Sequence, residues 1–155
     1  ALSEGRDRSR PVDYLPFGPA RAIPKGQRAT SVAVRFSPAH TTTWAYRDGG
    51  YVDTGSLAAP GDEFPADSVL VLRVVVGDAG YLDPAGNRVP ETKCTGSGKA
   101  VVLRAGKALE LTWKKKGTAS ATTFERADGS AYEIVPGRTF VELVPRGDGD
   151  VTLGR

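Results

Sequence analysis

The 155-residue chain has no methionine, a single cysteine and a single histidine. It also lacks any apolar run near the roughly 18 residues of a membrane-spanning helix, and no apolar export-signal core is visible. Each scarcity closes off a class of protein. With Cys94 alone, neither an intramolecular disulfide framework nor a multi-cysteine zinc site can form. Without methionine the sequence does not open at a translation start, so the expectation is a processed or excised piece of a longer protein. What is present suits one globular domain: 39% apolar and 25% charged residues, with 19 glycines and 11 prolines.

Charge is unevenly placed. Through Arg28 there are six basic residues against three acids, and from Ala29 onward fifteen of each, so the net +3 lies in the leading segment. A neutral body argues against a nucleic-acid partner, which would require a basic face on the folded part. Residues 1–29 show neither helical nor strand periodicity, and Pro11, Pro16, Pro19 and Pro24 break both patterns. They read as an extended linker or connector before a single β domain at 30–155. Tyr14, Leu15 and Phe17 suit either a strap docked on that domain or a free tail.

From residue 30 the pattern has period two, with Val32, Val34 and Phe36 on one face. Residues 43–47 alternate again, turn at Asp48-Gly49-Gly50 and return through Tyr51. Residues 69–76 (VLVLRVVV) are almost continuously apolar and predict a central strand buried on both faces. Residues 77–98, rich in glycine and proline, read as a long irregular loop. Further hairpins are expected at Ala105-Gly106 and Asp128-Gly129, with a third turn at Pro136-Gly137-Arg138. The fold class is all-β, with roughly nine short strands in an antiparallel barrel or a two-sheet sandwich.

No set of catalytic residues converges in the sequence. Cys94 and His40 would need to meet for a thiolate–imidazole pair, and nothing in their spacing brings them together. Gly96-Ser97-Gly98-Lys99 is followed by a strand, not by the hydroxyl residue and helix of a phosphate loop. Loop carboxylates are numerous, but sequence fixes no separation between any two of them. Neither cofactor nor metal is implied. The aromatic hairpin is more informative: Trp44, Tyr46 and Tyr51 suit either the core or an exposed platform. A contact surface is expected on Trp44, Tyr46, Arg47 and Tyr51, with Asp83 and Asn87 from the long loop.

The series Asp83-Pro84-Ala85-Gly86-Asn87-Arg88-Val89-Pro90-Glu91-Thr92, Gly96-Ser97-Gly98, Trp113-Lys114-Lys115 and Pro136-Gly137-Arg138-Thr139-Phe140-Val141-Glu142-Leu143-Val144-Pro145 resembles the C-terminal domain of YerB-like bacterial lipoproteins. The likeness reaches back to about Ala29, and departs from the family pattern at Phe140, where tryptophan is usual, and at Cys94. The resemblance implies a domain of unknown function from an extracytoplasmic, membrane-anchored envelope protein linked to peptidoglycan machinery. It carries over no catalytic residue. The expected partners are the family's N-terminal domain, missing from this chain, and an envelope protein or peptidoglycan fragment. The function expected first is a non-catalytic binding or interaction module. The alternatives are a hydrolase acting on envelope glycan or peptide, and a structural domain supporting the N-terminal one.

Overall fold

The computed structural model describes residues 14–19, 26–55, 58–59 and 62–155. Among them there is no helix and there are twelve strands. In chain order these are β1 (Gln27–Arg28), β2 (Ser31–Ser37), β3 (His40–Arg47), β4 (Gly50–Asp53), β5 (Ser68–Leu82), β6 (Arg88–Lys93) and β7 (Gly96–Arg104). There follow β8 (Lys107–Lys115), β9 (Thr123–Glu125), β10 (Ala131–Tyr132), β11 (Thr139–Pro145) and β12 (Asp150–Gly154). They form two sheets, one of eight strands running β10-β9-β8-β7-β5-β11 with β1 on β8 and β6 on β5, the other of four running β12-β2-β3-β4. The arrangement is sandwich-like and not a closed barrel, which settles the choice the sequence left open.

Strand β5 is the centre of the fold, as its composition predicts. Its alternate residues feed two cores: Leu70, Leu72 and Val74 join one, and Val69 and Val71 the other. The second core lies between the sheets, where Val32, Val34, Trp44 and Tyr51 meet Leu103, Ala108 and Val144. The first lies on the opposite face, where Trp113, Phe124, Tyr132 and Ile134 close around Leu15. Fully burying a side chain of this size stabilises by about 1.5–3 kcal/mol, so both faces of β5 contribute.

Local turn chemistry follows the sequence. Asp48 (φ 49°) and Gly49 (φ 89°) form the two-residue β3–β4 turn, and Ala105 (φ 50°) and Gly106 (φ 72°) the β7–β8 turn. Positive φ at both positions matches the right-handed twist of the flanking strands. The leading segment behaves as a strap over residues 14–18. Ile134 donates to the Pro16 carbonyl (2.8 Å), Gly18 to the Ile134 carbonyl (3.0 Å) and Thr122 to the Tyr14 carbonyl (3.0 Å).

Two expectations require correction. The pairing is not wholly antiparallel: β11 lies parallel to β5, from Thr139 opposite Ser68 to Pro145 opposite Val74. The irregular loop expected at 77–98 is instead a β-hairpin arm in which β5 continues to Leu82 and β6 returns beside it. The arm turns at residues 83–87 and contains a register shift between Asp78 and Leu82. Its residues face solvent on both sides, so it shows none of the buried–exposed alternation by which a strand is recognised.

Candidate functional site

The hairpin of β3 and β4 places Trp44, Tyr46 and Tyr51 on one face, Tyr46 directly opposite Tyr51 with ring centroids 5.2 Å apart. That face is turned inward. Trp44 is 3% exposed and Tyr51 fully buried, so neither presents its ring for contact, and the platform expected here is part of the core. Tyr46 is half-buried against the Gly106 backbone, and only Arg47 at the turn is exposed. The edge of Trp44 does reach a small recess of about 150 Å³ beside Phe64 and Phe140.

Tyr51 donates its hydroxyl to the Ala29 carbonyl at 3.0 Å. Burial pushes the phenol up to about 12, against opposition from the Gly106 backbone. Asp83 and Asn87 do come together, but at the tip of the arm. One Asp83 oxygen accepts from the Ala85 and Asn87 amides (2.9 and 2.8 Å), with the Asn87 side chain alongside. These donors, Asn87 foremost, hold the Asp83 carboxyl below its ordinary range. The pair closes a turn, and no hydrogen bond joins it to the aromatic hairpin among the described residues.

His40 stacks near Phe36 with centroids 5.2 Å apart, at the β2–β3 turn. Cys94 is exposed between β6 and β7, with its thiol 3.8 Å from the Thr92 carbonyl. Nothing joins the two among the described residues, so no thiolate–imidazole pair forms.

A larger concavity than the recess beside Trp44 involves none of these residues. Where the four-stranded sheet stops short, the face of β5, β7 and β8 lies open as a groove of about 810 Å³. Its walls include Arg73, Lys99, Glu110 and Arg146, over a floor of Val71 and Val101. Arg73 anchors the turn after β11, donating to the Gly149 carbonyl (2.9 Å) and the Arg146 carbonyl (3.2 Å). Arg146 in turn donates to the Ser97 carbonyl. Lys99 is exposed and makes no hydrogen bond or ion pair among the described residues. The Trp113 indole fixes the floor from beneath, bonding the Arg73 carbonyl at 3.0 Å.

The groove is lined by one exposed ammonium, Lys99, and by two guanidinium groups that already donate to backbone carbonyls, Arg73 lying also 4.0 Å from Asp150, with Glu110 as the lining carboxylate. Such donors recognise carboxylates and other oxyanions with directional, charge-assisted hydrogen bonds. Hydrolysis of a glycoside by the usual route requires two facing carboxyl groups; among the described lining residues Glu110 is the one carboxylate. Among the described residues no group of three or more His, Cys, Asp or Glu is arranged to hold a metal. Sequence reasoning overlooked the groove, although a signal was there: Arg73 is the one charge inside the apolar run 69–76.

Fold and site together define a two-sheet β domain with an open cationic groove and a projecting arm. Residues 32–141 match the family model described as the C-terminal domain of a protein of unknown function, DUF3048, and the chain belongs to that family. The structure is also similar to the crystal structure of YerB protein from Bacillus subtilis, with a TM-score of 0.61 at 17% identity. That match covers 89% of this chain but 46% of the YerB chain, so more than half of YerB lies outside it. No curated protein matches the chain.

Proposed function

We propose that the chain is a non-catalytic binding module of a bacterial cell-envelope protein, and that its groove holds an extended, carboxylate-bearing ligand of the peptidoglycan stem-peptide class. The observation that carries this reading is the convergence of Arg73, Lys99 and Arg146 on one open groove. An open trough suits a chain-like ligand better than a small metabolite, which is usually enclosed on most sides. The apolar floor of Val71 and Val101 accepts alkyl groups, while the cations fix the carboxylates. Placement in the envelope is supported by the likeness to YerB-like lipoproteins.

Backbone-amide NMR of the labelled domain, titrated with soluble peptidoglycan fragments, tests both parts of the proposal. Shifts are expected at Arg73, at residues 97–101 and at Arg146, with the ligand signals chemically unchanged. Lys99→Glu reverses the charge of an exposed side chain and is expected to weaken binding at least tenfold without altering the fold. New ligand signals would replace the binding module with a hydrolase. An absence of shifts in the groove would remove this ligand class.

A further inference from the structure

The hairpin arm cannot be explained as part of the sandwich. Among the described residues β6 pairs only with β5, and neither face of the pair is covered. A lone two-stranded hairpin is at best marginally stable in water, yet this one is extended and carries apolar side chains outward. Val75 is 47% exposed, Val76 39%, Tyr81 62% and Leu82 59%. Its polar residues are engaged within the arm, Asp78 with Arg88 and Glu91 with Lys93. What remains for a partner is a set of exposed apolar side chains near both ends of the arm, Val75 and Val76 at its base and Tyr81 and Leu82 by its tip.

We infer that the arm is the docking element for the family's N-terminal domain within the same polypeptide. Two observations select this occupant. The family match is to a C-terminal domain, and its structural relative YerB has more than half its length outside the match. The connector also reaches the domain at the base of the arm. Tyr14, the first described residue, lies under the Lys115 ammonium, 4.6 Å from ring centroid to nitrogen. Lys115 is the register partner of Gly96, two residues after Cys94, and Lys93 opposes Val75 where the arm leaves the sandwich. The described part of the connector thus begins on the side of the sandwich from which the arm projects.

A second copy pairing along the free edge of β6 is a poorer fit. That edge carries Pro90, which has no amide hydrogen to donate, and the charged Arg88, Glu91 and Lys93. Those are devices that discourage strand addition. The inference is independent of what the groove binds.

Hydrogen–deuterium exchange tests it, comparing this chain alone with the polypeptide that carries the N-terminal domain ahead of it. Amides of residues 75–82 and 88–93 are expected to exchange at least tenfold more slowly in the two-domain protein, while those of residues 70–72 match in both. Tyr81→Ser with Leu82→Ser, both on exposed positions, is expected to abolish the added protection in the arm and leave residues 70–72 unaffected. Equal exchange in the two proteins would overturn the inference. So would protection in the chain alone that grows with its concentration, because the occupant would then be a second copy.

Discussion

Glu142 provides the sharpest test of how the two sheets are held in register. It lies on β11 of the large sheet at 6% exposure, and one of its oxygens accepts from two residues of β3 in the small sheet. The Thr42 hydroxyl is at 2.9 Å and the Trp44 indole nitrogen at 3.0 Å. Phe140, two residues earlier, packs against Trp44 with centroids 4.6 Å apart. Glu142→Gln keeps an acceptor oxygen for both donors and removes a carboxylate that has no cationic partner among the described residues, so stability is expected to stay within about 1 kcal/mol. Glu142→Leu instead leaves the Trp44 N–H with no acceptor in the core, while half-buried Thr42 recovers water. Stranding a buried donor costs about 1–3 kcal/mol, and for a domain of this size each kcal/mol moves Tm by about 2–4 °C. The leucine variant is expected to melt about 2–12 °C below the glutamine variant on that scale. A double-mutant cycle with Trp44→Phe is expected to return a coupling of about 1–3 kcal/mol. Equal melting of the leucine and glutamine variants, with no coupling to Trp44, would refute the reasoning.

Other positions yield further expectations. A methyl group at Gly98 would press into the Arg73 carbonyl and come within 2.7 Å of the Trp113 indole nitrogen. Gly98→Ala is therefore expected to lose about 1–3 kcal/mol in urea denaturation through forced backbone movement, and an unchanged midpoint would count against the close packing beneath the groove. Ala105 holds a left-handed conformation at φ 50°. Asparagine tolerates that region better, so Ala105→Asn is expected to stabilise by about 1 kcal/mol, read as a raised urea midpoint. The Tyr51 phenol is raised from 10.0 to about 12 by burial. Because the fold favours the neutral hydroxyl, the contribution is complete below pH 10 and drains away as the pH climbs to about 12. Denaturation midpoints are expected to fall across that window and to fall less steeply in Tyr51→Phe; identical slopes would assign the loss to other groups.

Much of the sandwich is legible in the sequence because local rules govern it. The alternation of Val32, Val34 and Phe36, the twofold burial of residues 69–74 and the turns at Gly49, Gly106 and Gly129 are all short-range signals, and each appears in place, whereas Val75 and Val76, expected in the same buried run, are exposed. The β5–β11 pairing is not short-range. Val69 faces Phe140 across 71 positions of chain, and nothing near Pro136 distinguishes a parallel return from another hairpin. The same limit explains the aromatic hairpin. Period two places Trp44, Tyr46 and Tyr51 on one face, but which face is covered depends on Leu103, Ala108 and Val144 arriving from the other sheet. The arm is obscure for the opposite reason, since a strand that buries nothing on either side has no pattern to read. The groove is assembled from Arg73, Lys99 and Arg146, on three separate segments, and no spacing rule connects them.

The position of the last two strands has a consequence for the order of events in folding. β11 occupies the far side of β5 in the large sheet, and β12 is paired with β2 in the small one. A growing chain emerges N-terminal end first, so the hairpins β2–β3–β4 and β7–β8 are complete while β5 still has a bare edge and β2 an empty flank. Both vacancies are filled by residues 139–154, which fasten the two sheets to each other and seat Glu142 between them. Closing contacts that distant is entropically slow. The tail thus supplies an edge strand to each sheet, beside joints made by earlier segments such as the Ala29 amide on the Gly106 carbonyl.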